Sequence, residues 1–108
     1  MVVILAITLF VVVSPVNAEG MIKVVAEEGA FGCVHKDYYL NLVRNFVGGN
    51  NQDFYQDFLT GYHSGECAKF EKGDEVYLAD VDDSGLNSIR PKGSMSEYWT
   101  VIENIKDK

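Results

Sequence analysis

Residues 70–81 read FEKGDEVYLADV, a sequence in which a turn is followed by a strand. Residues 70–74 combine glycine with charged residues, which is typical of a tight turn. From residue 75 onward polar and apolar side chains alternate, as they do in a strand with one buried face. Val76 and Leu78, with Val81 as a further candidate, are therefore expected to face a core.

Further strands flank this one, each bounded by a turn. Residues 82–85 (DDSG) and 91–94 (PKGS) are turn sequences, and they delimit strands at 86–90 and 97–102. Upstream, the β-branched residues at 21–26 (MIKVVA) predict the first strand. Three or four short antiparallel strands are too few for two packed sheets, but they can curl into a small barrel.

Between the first strand and residue 67 the apolar period becomes helical. Two apolar stripes have this period, one formed by Tyr39, Leu42, Val43, Phe46 and Val47 and the other by Phe54, Phe58, Leu59 and Tyr62. The glycines at 48–49 end the first helix, and Gly61 and Gly65 are expected to end the second. Two short helices joined by about three residues predict an antiparallel helical hairpin at about 36–63.

Turn glycines and core residues of this chain resemble those of bacterial Src-homology-3-like domains over about residues 67–103. The resemblance rests on Phe70, Gly73, Val76, Tyr77, Asp80, Gly85, Leu86, Ile89, Arg90, Gly93, Tyr98, Trp99 and Thr100. Upstream, Gly32-Cys33, the hairpin and Gly65-Glu66-Cys67 look like a set of small, exported, uncharacterised bacterial proteins with a disulfide-pinned helical hairpin. The resemblance implies an α+β fold, a small antiparallel Src-homology-3-like barrel with a two-helix insertion after its first strand.

The segment 1–18 has the features of a secretory signal peptide. It contains fourteen apolar residues and no charge, and it ends in SPVNA. An apolar run, a helix breaker and small residues before a cleavage site form this pattern, and the run at 2–13 is shorter than the roughly 20 residues that span a bilayer. We expect a signal peptide at 1–18, a single domain at 19–108, a periplasmic or secreted location, and no stable membrane insertion after cleavage.

Cys33 and Cys67 are the only cysteines of the chain. An even count in a short exported domain indicates a disulfide. Two alternative uses remain. One is a zinc site formed by both cysteines with His35 and His63, and the other is a nucleophilic pair of Cys33 with either histidine. A single residue between Cys33 and His35 strains a chelate, and an oxidising compartment favours the bridge.

Size and charge exclude several classes of function. A chain of 108 residues is too short for a multidomain enzyme, and a net charge of −7 argues against nucleic-acid binding. Residues 80–85 begin like a calcium loop, but the twelfth position is Pro91 and the segment lies between strands. An acidic turn is the preferred interpretation. We expect no catalytic residues, no metal and no cofactor.

Aromatic residues are numerous, with six Tyr, six Phe and one Trp. The expected contact surface consists of Tyr77, Arg90, Lys92, Tyr98 and Trp99, and strand alternation turns either Tyr98 or Trp99 into the core. The predicted function is a non-catalytic exported binding module for a protein, peptide or cell-wall polymer. The alternative is a small acidic inhibitor or immunity-type protein against a cationic exported enzyme, such as a lysozyme-like hydrolase.

Overall fold

The computed structural model describes residues 21–108, so the expected signal peptide lies outside the described residues. The elements are β1 (Ile22–Val25), β2 (Phe31–Cys33), α1 (Lys36–Val47), α2 (Asn51–Ser64), β3 (Cys67–Lys69), β4 (Glu75–Val81), β5 (Leu86–Pro91), β6 (Tyr98–Val101), a 3₁₀ turn (Ile102–Asn104) and β7 (Ile105–Asp107). All strand pairs are antiparallel, and the sheet order is β3-β2-β6-β5-β4-β1-β7. The α+β class and the helical hairpin are as predicted.

The sheet has more strands than the sequence indicated, and it is not closed. Strands β2, β3 and β7 have three residues each, which is too short for a recognisable alternation. Strands β2 and β3 pair with each other on either side of the hairpin, so the insertion follows the second strand and not the first. Strands β3 and β7 are the two edges of the described sheet, and a Src-homology-3-like barrel is not confirmed.

Two local predictions were wrong. Helix α2 does not end at Gly61 but continues to Ser64, and Gly65 then adopts a φ of 88°. Gly61 is buried because the helix approaches the cysteines so closely that a Cβ at this position would lie 2.9 Å from Cys67 Sγ. Val81 is the last residue of β4, beyond the end of the core, and it is 56 % exposed.

Buried side chains form two clusters on opposite faces of the sheet. The first consists of Val25, Ala30, Phe70, Val76, Ile89 and Ile105. The second lies between the sheet and the hairpin and consists of Cys33, Tyr39, Leu42, Phe58, Cys67 and Leu86. Leu86 and Ile89 are three residues apart on β5 and therefore point to opposite sides. The hairpin thus covers one face of the sheet.

The disulfide between Cys33 and Cys67 is confirmed. The two residues lie opposite each other on β2 and β3, with their Cα atoms 4.0 Å apart, and both are buried. Because the two sulfurs are bonded to each other, neither is a thiolate available to zinc or to a substrate. The bridge joins the chain just before α1 to the chain just after α2.

Asp82 connects the β4–β5 turn to helix α1. Its Oδ1 accepts hydrogen bonds from the amide and hydroxyl of Ser84 and from the amide of Leu86. Its Oδ2 lies 2.5 Å from Nζ of Lys36. The hydrogen bond from Lys36, followed by those from Ser84, holds the pKa of Asp82 well below its usual range.

Asp82→Asn is expected to destabilise the protein at neutral pH but much less in acid. Because the folded state lowers this pKa, the carboxylate stabilises the fold above the unfolded value of about 4, and this contribution is lost as the pH falls toward the folded pKa. Asp83→Asn is the control, since Asp83 has no hydrogen bond or ion pair within residues 21–108. Urea unfolding should show that the difference in the free energy of unfolding between the two variants is smaller at about pH 2 than at about pH 7. An equal difference at both pH values contradicts this role of the carboxylate.

Candidate functional site

An apolar groove of about 390 Å³ lies between the helical hairpin, strands β2 and β6, and the loop that joins β1 to β2. Six largely apolar side chains line it, those of Phe31, Tyr39, Val43, Phe46, Phe54 and Val101. Glu28 and Asn104 are its polar side chains. Apolar concavities of roughly 300–1,000 Å³ with a few polar groups are typical of ligand sites.

Helix α1 supplies one wall because its apolar stripe is longer than the surface on which it packs. Tyr39 is 2 % exposed, whereas Phe46, two turns further on, is 62 % exposed. The first part of the stripe is buried against the sheet, and its last part borders the groove. The ring centroids of Phe46 and of Phe54 in α2 are 5.4 Å apart, so both helices contribute to this wall.

Phe31 of β2 is the centre of the aromatic contacts. Its ring centroid lies 5.2 Å from that of Tyr39 and 5.8 Å from that of Phe54. The hydroxyl of Tyr39 accepts a hydrogen bond from the amide of Val101 in β6 at 3.0 Å. Ring contacts and this hydrogen bond fix the lining, so a ligand would meet a surface that is already in place.

The loop at 26–30 forms the mouth of the groove and is held at both ends. The amide of Ala26 donates to the carbonyl of Asn104 at 2.8 Å, and the carbonyl of Ala30 accepts from the first amide after β3. Gly29 has a φ of 80°, in the left-handed region that favours glycine. Glu28 is exposed on this loop, and its carboxylate makes no ion pair within residues 21–108.

The residues predicted as a contact surface divide between the two faces of the sheet. Tyr77 and Arg90 pair across β4 and β5, with the Arg90 Cζ 4.7 Å from the centroid of the tyrosine ring. By register Trp99 shares their face. Tyr98 points to the opposite side, where its ring contacts Phe70 at 5.9 Å between centroids. The structure therefore brings Tyr77 and Arg90 together and separates them from Tyr98.

The remaining predicted residues are engaged within the protein. Lys36 of helix α1 places its Nζ 4.4 Å from the ring centroid of Trp99, which packs against the second cluster. Nζ of Lys92 lies 3.5 Å from a carboxylate oxygen of Glu75. Trp99 and Lys92 therefore each have a partner within the protein.

Sequence reasoning did not single out the residues of the groove. The pattern assigns Phe46 and Phe54 to the helical stripes, it favours a solvated surface charge for Glu28, and it does not indicate a role for Phe31. The sequence does contain a signal for Phe46 and Phe54. They lie on either side of the hairpin turn at 48–50, where the apolar stripes of the two helices extend beyond the residues that pack on the sheet. The position of Phe31 beside them depends on the β2–β6 pairing, which no local pattern shows.

Comparisons with family models, with curated proteins and with solved structures find no match to this chain. In the described range neither helix has the length and apolar character needed to cross a membrane. The same range contains no group of three or more side chains placed to hold a metal ion.

Proposed function

We propose that the protein is an exported, non-catalytic binding module that holds an apolar side chain of a peptide or protein segment in the groove. The observation that carries this proposal is the groove itself, with fixed aromatic rings inside and Phe46 exposed at its rim. A peptide is favoured over a cell-wall polymer because the lining is apolar. Saccharide hydroxyls buried there would lack hydrogen-bond partners.

Export is part of the proposal, and two features support it. Disulfides persist in oxidising compartments, and the chain has one between buried cysteines. The apolar segment at 1–18 has the sequence of a secretory signal. The partner is accordingly sought outside the cytoplasm.

The finer fold proposal is that the sheet is a variant of the Src-homology-3-like barrel, extended at one edge by β2 and β3. It is supported by the consecutive pairing of β4, β5 and β6. The turn glycines named in the resemblance, Gly73, Gly85 and Gly93, all have positive φ values, of 94°, 88° and 86°. Each of them therefore supplies the backbone conformation that such turns require.

A second candidate is an acidic inhibitor or immunity-type protein directed against a cationic exported enzyme. The net charge of −7 favours it, because complementary charge speeds association. Salt separates the two candidates. Association of an inhibitor of this kind should weaken strongly with added salt, whereas binding of an uncharged peptide such as Ala-Ser-Phe-Ser-Ala through its apolar side chain should respond little.

Phe46→Ser is expected to weaken binding of an apolar peptide by about tenfold, because an aromatic wall of the groove is lost. The blocked pentapeptide Ala-Ser-Phe-Ser-Ala, titrated into ¹⁵N-labelled protein, should shift the amide signals of Val43, Phe54 and Val101. Tyr55→Ser is the matched control, since Tyr55 and Phe46 are each 62 % exposed on the hairpin but only Phe46 lines the groove.

Either of two results would overturn the proposal. One is an equal loss of affinity in both variants, which would indicate non-specific contact with exposed rings. The other is a set of shifts that avoids the groove. A chitin oligosaccharide titrated in parallel tests whether the groove binds a polysaccharide instead. Amide shifts with the oligosaccharide but not with the peptide would assign the groove to a polysaccharide ligand.

A further inference from the structure

We propose that the groove selects a basic amphipathic segment, one that inserts an apolar side chain and places a neighbouring Lys or Arg against Glu28. This inference rests on the proposed function and specifies its ligand. Three features support it: the negative charge at the mouth of the groove, the fixed backbone of the loop that carries Glu28, and the distribution of the protein's other charges.

The mouth of the groove is negatively charged. Of the described side chains that line the groove, only that of Glu28 is charged at neutral pH. Its neighbour Glu27 is also exposed and makes no ion pair within residues 21–108. On the other side of the loop Glu28 shares a shallow depression with Glu71 and Lys72. This depression has one basic residue, Lys72, and two acidic residues, so its net charge is also negative.

The Glu28 backbone is already in position before a ligand arrives. The hydrogen bond from Ala26 to Asn104 and the left-handed Gly29 set the course of the loop on either side of it. A loop held in this way loses little further backbone entropy on binding. It lies beside an apolar lining, and a base one or two positions from an inserted side chain would reach the same mouth.

The distribution of charge favours a cationic occupant over a second copy of the chain. Several bases already lie within 3.5 Å of a carboxylate oxygen of this protein, among them Lys23, Lys36, Lys92 and Lys108. The acids at the mouth of the groove have no such partner among the described residues. Two copies that each carry −7 repel one another, whereas a basic segment is attracted.

Three blocked pentapeptides test the inference, Ala-Lys-Phe-Lys-Ala, Ala-Ser-Phe-Ser-Ala and Ala-Glu-Phe-Glu-Ala, titrated into the labelled protein at low salt. We expect affinity to fall in that order by about threefold at each step, the size of solvent-exposed charge pairs. Glu28→Gln should reduce the ratio of the affinity for the Lys peptide to the affinity for the Ser peptide. The matched control is Asp83→Asn, which removes one negative charge from the β4–β5 turn and alters neither the groove nor the neighbouring depression, and it should retain the order.

The outcomes separate this inference from the proposed function. Equal affinity for all three peptides, still lost in Phe46→Ser, overturns the charge selection and leaves the binding module intact. A preference for Lys that is unchanged in Glu28→Gln also overturns it, because the net charge and not this residue would be responsible. Absence of groove shifts with every peptide overturns both. Dimerisation that depends on Phe46 would assign the groove to a second copy.

Discussion

Replacing Cys33 and Cys67 together by alanine is expected to lower the free energy of unfolding by at least about 3–4 kcal/mol, the contribution of the bridge alone. The bond spans a sequence separation of 34 residues and joins the strands on either side of the hairpin. Without it the unfolded chain gains the entropy of an open loop of this length. A domain of this size has only about 5–15 kcal/mol of stability in total, so the loss is a large share.

Urea unfolding of the double variant, monitored by far-ultraviolet circular dichroism, measures this loss. The control is the wild-type protein after chemical reduction, which loses the bond but keeps both sulfur atoms. Its midpoint should lie between those of the oxidised protein and the double variant, since both cysteines are buried and alanine also leaves a cavity. A reduced protein that unfolds at the same urea concentration as the oxidised one contradicts the structural role of the bridge.

Gly32→Ala is expected to cost about 2–3 kcal/mol of stability through overpacking. A Cβ on Gly32 would lie 2.7 Å from the carbonyl oxygen of Trp99 and 3.1 Å from Cβ of Tyr98. Both belong to β6, which pairs with β2 through Cys33 and Trp99 and cannot move away without breaking the sheet. The substitution would therefore separate the strands that carry Phe31 and Val101 into the groove.

Ala68→Gly provides the comparison for this prediction. Ala68 pairs with Gly32 across β2 and β3, and the change removes one methyl group where the other variant adds one. It should cost no more than about 1 kcal/mol, the usual penalty of glycine in a strand. Thermal unfolding of both variants measures the difference. If Gly32→Ala is no more destabilised than Ala68→Gly, the close approach of β2 and β6 is not a constraint.

The sequence predicted those elements whose pattern repeats within one segment. The apolar stripes of both helices and the alternation of β4 are long enough to be recognised, and their positions agree with the structure. Strands β2, β3 and β7 have three residues each, and their extended conformation is stabilised by hydrogen bonds to neighbouring strands. Their hydrogen bonds join residues distant in sequence, as in the pairing of Phe31 with Lys69. The number of strands and the open sheet therefore could not be predicted locally.

The site was harder to predict than the fold because it draws on several distant segments. Phe31, Phe46 and Val101 meet only through the docking of the hairpin on β2 and β6. The predicted contact surface did not account for contacts set by register and docking. Arg90 lies over the ring of Tyr77 because the two pair across strands, and Lys36 reaches Trp99 from a helix.

The most direct test of the binding module is the detection of intermolecular nuclear Overhauser effects between the protein and the peptide Ala-Lys-Phe-Lys-Ala. The account predicts contacts from the peptide's phenyl ring to the methyl groups of Val43 and Val101 and to the ring of Phe46. Contacts to Tyr77 and Trp99, with none in the groove, would contradict it. They would place the binding surface at the residues that the sequence predicted.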